Sequence, residues 1–125
     1  MKYDSIKDRQ EHCHELLKVL LPALRYVARR CGYALAVHGS LSRDIDLVAV
    51  PWRDTAISAE SLIEYLRKVV AAVVGIDDPT AMTILPGYRK AWALHLTMDK
   101  GNGPYLDISV TPIVEKKRNG RLAVR

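Results

Sequence analysis

Asp44 and Asp46 stand two residues apart in the stretch HGSLSRDIDLVAV, at the edge of what otherwise reads as a buried strand. In a strand that spacing puts both carboxylates on one face, about 7 Å apart along the chain. Val48 and Val50 share their face, while Ile45, Leu47 and Ala49 fill the other and read as core. Two like charges this close raise each other's pKa values, so folding alone would not select them. A divalent cation removes the conflict, and magnesium prefers oxygen ligands, usually one or two carboxylates with phosphate and water. A third carboxylate fits the set. Asp107 is the only charge in YLDISV and lies on the face opposite Leu106, Ile108 and Val110. If that strand neighbours the one carrying Asp44 and Asp46, the three aspartates converge. Metal ions held by such carboxylates serve phosphoryl and nucleotidyl transfer, lowering the pKa of an attacking hydroxyl and neutralising charge on the phosphate. Just upstream, Gly39 lets backbone approach a phosphate closely, and the Ser40 hydroxyl with the following amides can donate to its oxygens.

Other polar residues carry two readings each. Arg43 either neutralises a phosphate or is a turn residue paired with Asp44 or Asp54. His95 shares a strand face with Ala91, Ala93 and Thr97, and a hairpin register could set it near Asp107 as a substrate contact or acid–base group. A one-residue slip would reverse that, and a buried, hydrogen-bonded histidine is the plainer reading. His38, before the Gly-Ser pair, is as readily structural as functional. Arg89 and Lys90 read as a solvated strand entry. His12, Cys13 and His14 invite a zinc site, but helical residues two apart do not face each other, so the trio reads as surface. Trp52 follows the strand-ending Pro51; packing on the sheet edge is its first reading and stacking on a base its second.

The elements that would position these groups follow from periodicity. Leu16, Leu17, Leu20, Leu24, Val27, Ala28 and Cys31 recur at helical spacing, with Ser5 or Asp4 as cap and Gly32 as stop. Pro22 would kink this helix or open a second one. YALAVH (33–38) and DIDLVAV (44–50) read as strands, the second ended by Pro51. Ser58 caps a helix through 59–74, closed by Gly75, with an apolar stripe of Leu62, Leu66, Val69, Val70 and Val73. IDDPTAM is a loop. Residues 89–98 alternate, with Trp92, Leu94, Leu96 and Met98 as core. DKGNGP turns the chain into the returning strand 105–111, which Pro112 stops. Short strand-to-strand connections favour a mixed or antiparallel sheet with helices on one face, an α+β fold.

The 125 residues suit one domain over 1–114, followed by a basic tail over 115–125. At 49% hydrophobic and 26% charged the composition is that of an ordinary globular domain. The tail EKKRNGRLAVR holds +4 of the net +5, which suits a polyanion; a solvated, frayed terminus is the plainer reading. No run is apolar enough to span a membrane, and the first ten residues do not read as a secretion signal. Cys13 and Cys31 are therefore expected as free thiols in a reducing cytoplasm.

HGSLSRDIDL followed by YLDISV resembles the polymerase-β-type nucleotidyltransferase superfamily: a Gly-Ser, then Asp-x-Asp on one strand, then one acidic residue on a later strand. VHGSLSRDIDLVAVPW, RKAWALHL and GPYLDISVTP are also similar to small nucleotidyltransferase-like proteins of phages and prophages, over roughly residues 33–112. The resemblance implies a minimal nucleotidyltransferase-like fold and Mg2+- or Mn2+-dependent transfer of a nucleotide from an NTP to a hydroxyl. It implies that Gly39 and Ser40 contact the nucleotide phosphates, Asp44 and Asp46 hold the metal, and Asp107 is the third carboxylate. The acceptor is then a protein, a nucleic acid or a small molecule. No second, helical domain is read in the chain, so a partner chain or a second copy is expected to supply acceptor surface unless the acceptor is small. The alternative is a catalytically silent protein of this fold, of phage type, that engages a host protein or nucleic acid.

Overall fold

A computed structural model describes residues 5–99, 101 and 103–124. The first helix, α1, runs Ile6–Arg30. The Ser5 hydroxyl accepts from the Asp8 N–H at 3.1 Å, satisfying one of the amides a helix start leaves without a partner. The helix continues through Pro22. That residue and Lys18, whose carbonyl loses its usual donor, are both exposed, so the break in the hydrogen-bond ladder lies on the solvent side. Gly32, at φ +94°, turns the chain back; a Cβ there would lie 2.7 Å from the Ala56 Cα, so the close approach requires glycine.

Strands β1 (Tyr33–His38) and β2 (Ile45–Pro51) follow, then helix α2 (Ala59–Val74), with Ser58 at its start and Gly75 in the left-handed conformation at its end. Next come β3 (Thr83–Leu85), a short 3-10 turn at Pro86–Tyr88, β4 (Arg89–His95) and β5 (Tyr105–Val110). The sheet order is β1-β2-β5-β4-β3. β2 and β5 are parallel and the other pairs antiparallel, so the fold is α+β with a mixed sheet.

One face of this sheet joins both helices in a single core. Ile45, Leu47 and Ala49 of β2, Leu106 and Ile108 of β5, and Leu20, Leu24, Leu62 and Leu66 of the helices are all fully buried. Each large aliphatic side chain so buried contributes about 1.5–3 kcal/mol over leaving it in water. The opposite face is open: Ala34, Ala36, His38 and Val50 are exposed, and Asp46, Val48 and Asp107 half-buried.

The structure adds to the sequence expectations and changes several of them. Beyond the loop at IDDPTAM, Thr83–Leu85 forms the edge strand β3 against β4. The tail, expected to fray, pairs Val114–Lys116 (β6) with Leu122–Val124 (β7) in an antiparallel hairpin. Met98 is exposed rather than core, because β4 ends at His95 and the alternation no longer fixes which way a side chain points. Cys13 is fully buried, not surface, because α1 lays it against the loop before β2. Cys13 and Cys31 are both free thiols. Among the described residues no helix is long and apolar enough to cross a membrane.

Candidate active site

Strand pairing sets the polar residues of the open face in rows. His38, Asp46, Asp107 and Ala93 are consecutive register partners across β1, β2, β5 and β4. Paired residues share a face, and neighbouring strands lie about 4.8 Å apart, so Asp46 and Asp107 are side by side. Burial, then the charges of Asp44 and Asp46, then a hydrogen bond with Asp46 push Asp107 up from 3.8 to about 6. Two carboxylates this close repel when both are ionised, and a hard cation between them would relieve that.

Asp44 lies just before β2 and is turned differently. Its Oδ1 accepts from the Tyr105 N–H at 2.9 Å and pairs with Arg9 Nη2 at 3.5 Å. Arg9, on α1, also donates from Nε to the Arg43 carbonyl at 3.0 Å and from Nη2 to the Gly103 carbonyl at 3.3 Å. The Cys13 thiol donates to the same Arg43 carbonyl at 3.3 Å. Burial pushes that thiol up, keeping the proton it donates. Helix α1 thus ties the loops before β2 and β5 together. Nothing local in the sequence marks Arg9, whose partners Arg43 and Gly103 are 34 and 94 residues away.

Gly39 has φ +80°, and a Cβ there would come within 2.7 Å of Asp46 Oδ2. The glycine therefore leaves room for a carboxylate oxygen as well as permitting the turn. Ser40 Oγ lies 2.7 Å from Ser42 Oγ and accepts from the Ser42 N–H at 3.3 Å, so the hydroxyl is engaged within its own loop. Leu41, at φ 57°, carries this loop onto the core. The exposed Arg43 guanidinium pairs with neither Asp44 nor Asp54 among the described residues. His95 is two positions from Ala93, the register partner of Asp107, and its ring centroid lies 4.6 Å from that of Tyr105. Its Nδ1 is 2.8 Å from the Asp78 carbonyl. A carbonyl only accepts, so Nδ1 carries a proton; the Asp78 carboxylate lies 3.6 Å from the same nitrogen, and Nε2 is the nitrogen left for other contacts.

A groove of about 400 Å³ runs over this face, reached by His38, Asp46, Asp107, Ser109, Thr80 and Arg89. Ala91 and Ala93 present only methyl groups to it, which leaves the space open. Ser109, beyond Asp107 on β5, is 7% exposed, and its Oγ has no hydrogen-bond partner among the described residues. A buried hydroxyl left so costs about 1–3 kcal/mol, which a ligand's polar atom would offset. The signal for Ser109 was its place in YLDISV, on the face of Asp107.

Among the described residues no three His, Cys, Asp or Glu side chains stand as a set that could hold a metal ion. Asp46 and Asp107 face each other, whereas Asp44 is held by Arg9 and β5. The donors are all carboxylate oxygens, two of them side by side on paired strands, which is the chemistry of a hard divalent cation's site.

No protein-family model matches the chain, and no curated protein does. Among solved structures it is similar to Cid1 poly(U) polymerase with MgGTP bound, at 18% identity and a TM-score of 0.47, over 85% of this chain and 38% of that one. A structure of Cid1 concerned with its RNA terminal uridylyl transferase activity gives 16% and 0.46, over 83% and 36%. A cytoplasmic RNA terminal U-transferase gives 17% and 0.43, also over 83% and 36%. The chain thus spans well under half the length of these proteins. Overlap this partial does not transfer chemistry, and the function of this chain must be read from its own residues.

Proposed function

We propose that this chain is a divalent-metal-dependent nucleotidyltransferase of the polymerase-β type, moving a nucleotide from an NTP to a hydroxyl. The observation that best supports this is the register pairing of Asp46 with Asp107 on adjacent parallel strands, at a groove whose buried Ser109 hydroxyl lacks a partner. Asp46 and Asp107, with Asp44 beside them, would hold Mg2+ or Mn2+. Such an ion, when bound, supplies positive charge against the transferring phosphate. Asp107 orients the acceptor hydroxyl and takes its proton. The freed oxygen bonds the α-phosphorus as the bond to pyrophosphate breaks. The Gly39–Ser40 turn and the Arg43 guanidinium hold the triphosphate, and His95 Nε2 is a candidate acceptor contact. The acceptor is a protein, a nucleic acid or a small molecule, with a partner chain or second copy completing its surface. The free thiols support a reducing compartment such as the cytoplasm.

Incubation with α-labelled NTPs and Mg2+ or Mn2+ should label an acceptor, and Asp46→Asn or Asp107→Asn should abolish the labelling. Labelling that persists in both variants would refute the assignment. A second reading keeps the fold without turnover, as a phage-type binding protein. The Ser40–Ser42 hydrogen bond and the Arg9–Asp44 ion pair favour it, since both engage groups that transfer would use. It predicts metal-independent partner binding that survives Asp44→Asn and Asp46→Asn.

A further inference from the structure

At the far end of β2 from the aspartates, the last turns of α1 meet the loop that follows Pro51. Six residues of strand separate Asp46 from Trp52, about 20 Å. Arg25, Arg29, Tyr33, Ala34, Leu35 and Trp52 line a depression of about 390 Å³ there. Trp52 is 55% exposed instead of packed on the sheet edge. The Arg53 guanidinium carbon lies 4.9 Å from the Trp52 ring centroid, and Arg53 Nη2 donates to the Arg30 carbonyl at 2.9 Å. Arg30 in turn stands 5.8 Å over the exposed ring of Tyr26. Arg25 donates from Nε to the Leu35 carbonyl at 3.3 Å, covering part of the free edge of β1. None of Arg25, Arg29, Arg30 and Arg53 is paired with a carboxylate among the described residues. The α1 C-terminus carries partial negative charge that suits one or two cations, and Arg53 already serves the carbonyl of Arg30 there. Arg25 and Arg29, one helical turn apart beside the indole, exceed that need.

We propose that this patch binds single-stranded nucleic acid, with phosphates on Arg25 and Arg29 and a base stacked on Trp52. Guanidinium groups match phosphate in a fork, and interleaved cations and exposed rings are what a single strand requires. An anionic membrane or acidic peptide would use the charges and leave the indole without purpose. The site is separate from the aspartates and holds whether or not they turn over substrate.

The test is titration of the full chain with a fluorescein-labelled ten-nucleotide single-stranded RNA of mixed sequence. Saturable binding with quenching of tryptophan emission is expected. Trp52→Ala should weaken it about tenfold, and Trp52→Phe should restore most of the affinity. Arg29→Ala should reduce the slope of log K against log salt by about 0.7, one phosphate's share. Lys68→Ala, on the exposed face of α2, should leave affinity unchanged. The proposal is overturned if no RNA binds at low salt, if Trp52→Ala binds as well as the unaltered chain, or if Lys68→Ala costs as much as Arg29→Ala. Capture by phosphatidylserine vesicles through Arg25 and Arg29, without RNA binding, would overturn it as well.

Discussion

The pKa of Asp107, raised to about 6, gives the site a signature in stability as well as in chemistry. Between its ordinary value of 3.8 and about 6, the folded chain holds more proton at this carboxyl than the unfolded chain does. Stability from this group is therefore full below about pH 4 and lost as pH rises through 6. Asp107→Asn removes the penalty. Urea unfolding should find that variant more stable above pH 6 by about 1 kcal/mol, allowing for screening at a half-buried site, and equal to the unaltered chain at pH 4. At Gly39, alanine meets both a positive φ and the Asp46 carboxylate. Gly39→Ala should cost about 1–2 kcal/mol in the same assay. The acidic residues were legible in the sequence because charge on the open face of an apolar strand has no folding rationale. The space Gly39 leaves for Asp46 was not, because it depends on a side chain brought back by the next strand.

Among the elements, α1 does more than cover the sheet, because Arg9 binds the loops that carry Asp44 and precede Tyr105. Arg9→Ala should cost about 1–3 kcal/mol of stability, seen as a lower guanidinium midpoint, and Arg9→Lys should recover only part, since an ammonium lacks the fork. An unchanged midpoint would show that the three contacts are incidental. Helices with serine starts and glycine ends could be read directly, as could β1 and β2 from their short apolar runs and β4 and β5 from alternation. β3 could not: Thr83–Leu85 is three residues long, and only β4 makes it a strand. The β6–β7 hairpin was hidden by its charge, since EKKRNGRLAVR reads as solvated until Val114 and Val124 pair across it.

For the whole molecule, the open sheet face sets the response to ligands. A cation with NTP that binds only the folded state at a hundred times its Kd should stabilise it by about 2.7 kcal/mol, raising the melting temperature by about 10 °C. Asp46→Asn should abolish the rise, and no rise in the unaltered chain at millimolar ligand would refute the nucleotide site. The parallel pairing of β2 with β5 has a further consequence for how the molecule is made. The carboxyl of Asp44 and the amide of Tyr105 that it accepts from are 61 residues apart in sequence. On the ribosome, β1 and β2 are complete while β5 is still unsynthesised, and contacts of such long range form late and slowly. Until then Asp46 has no facing carboxylate, so the nascent chain carries β2 without the acidic pair that would hold a metal.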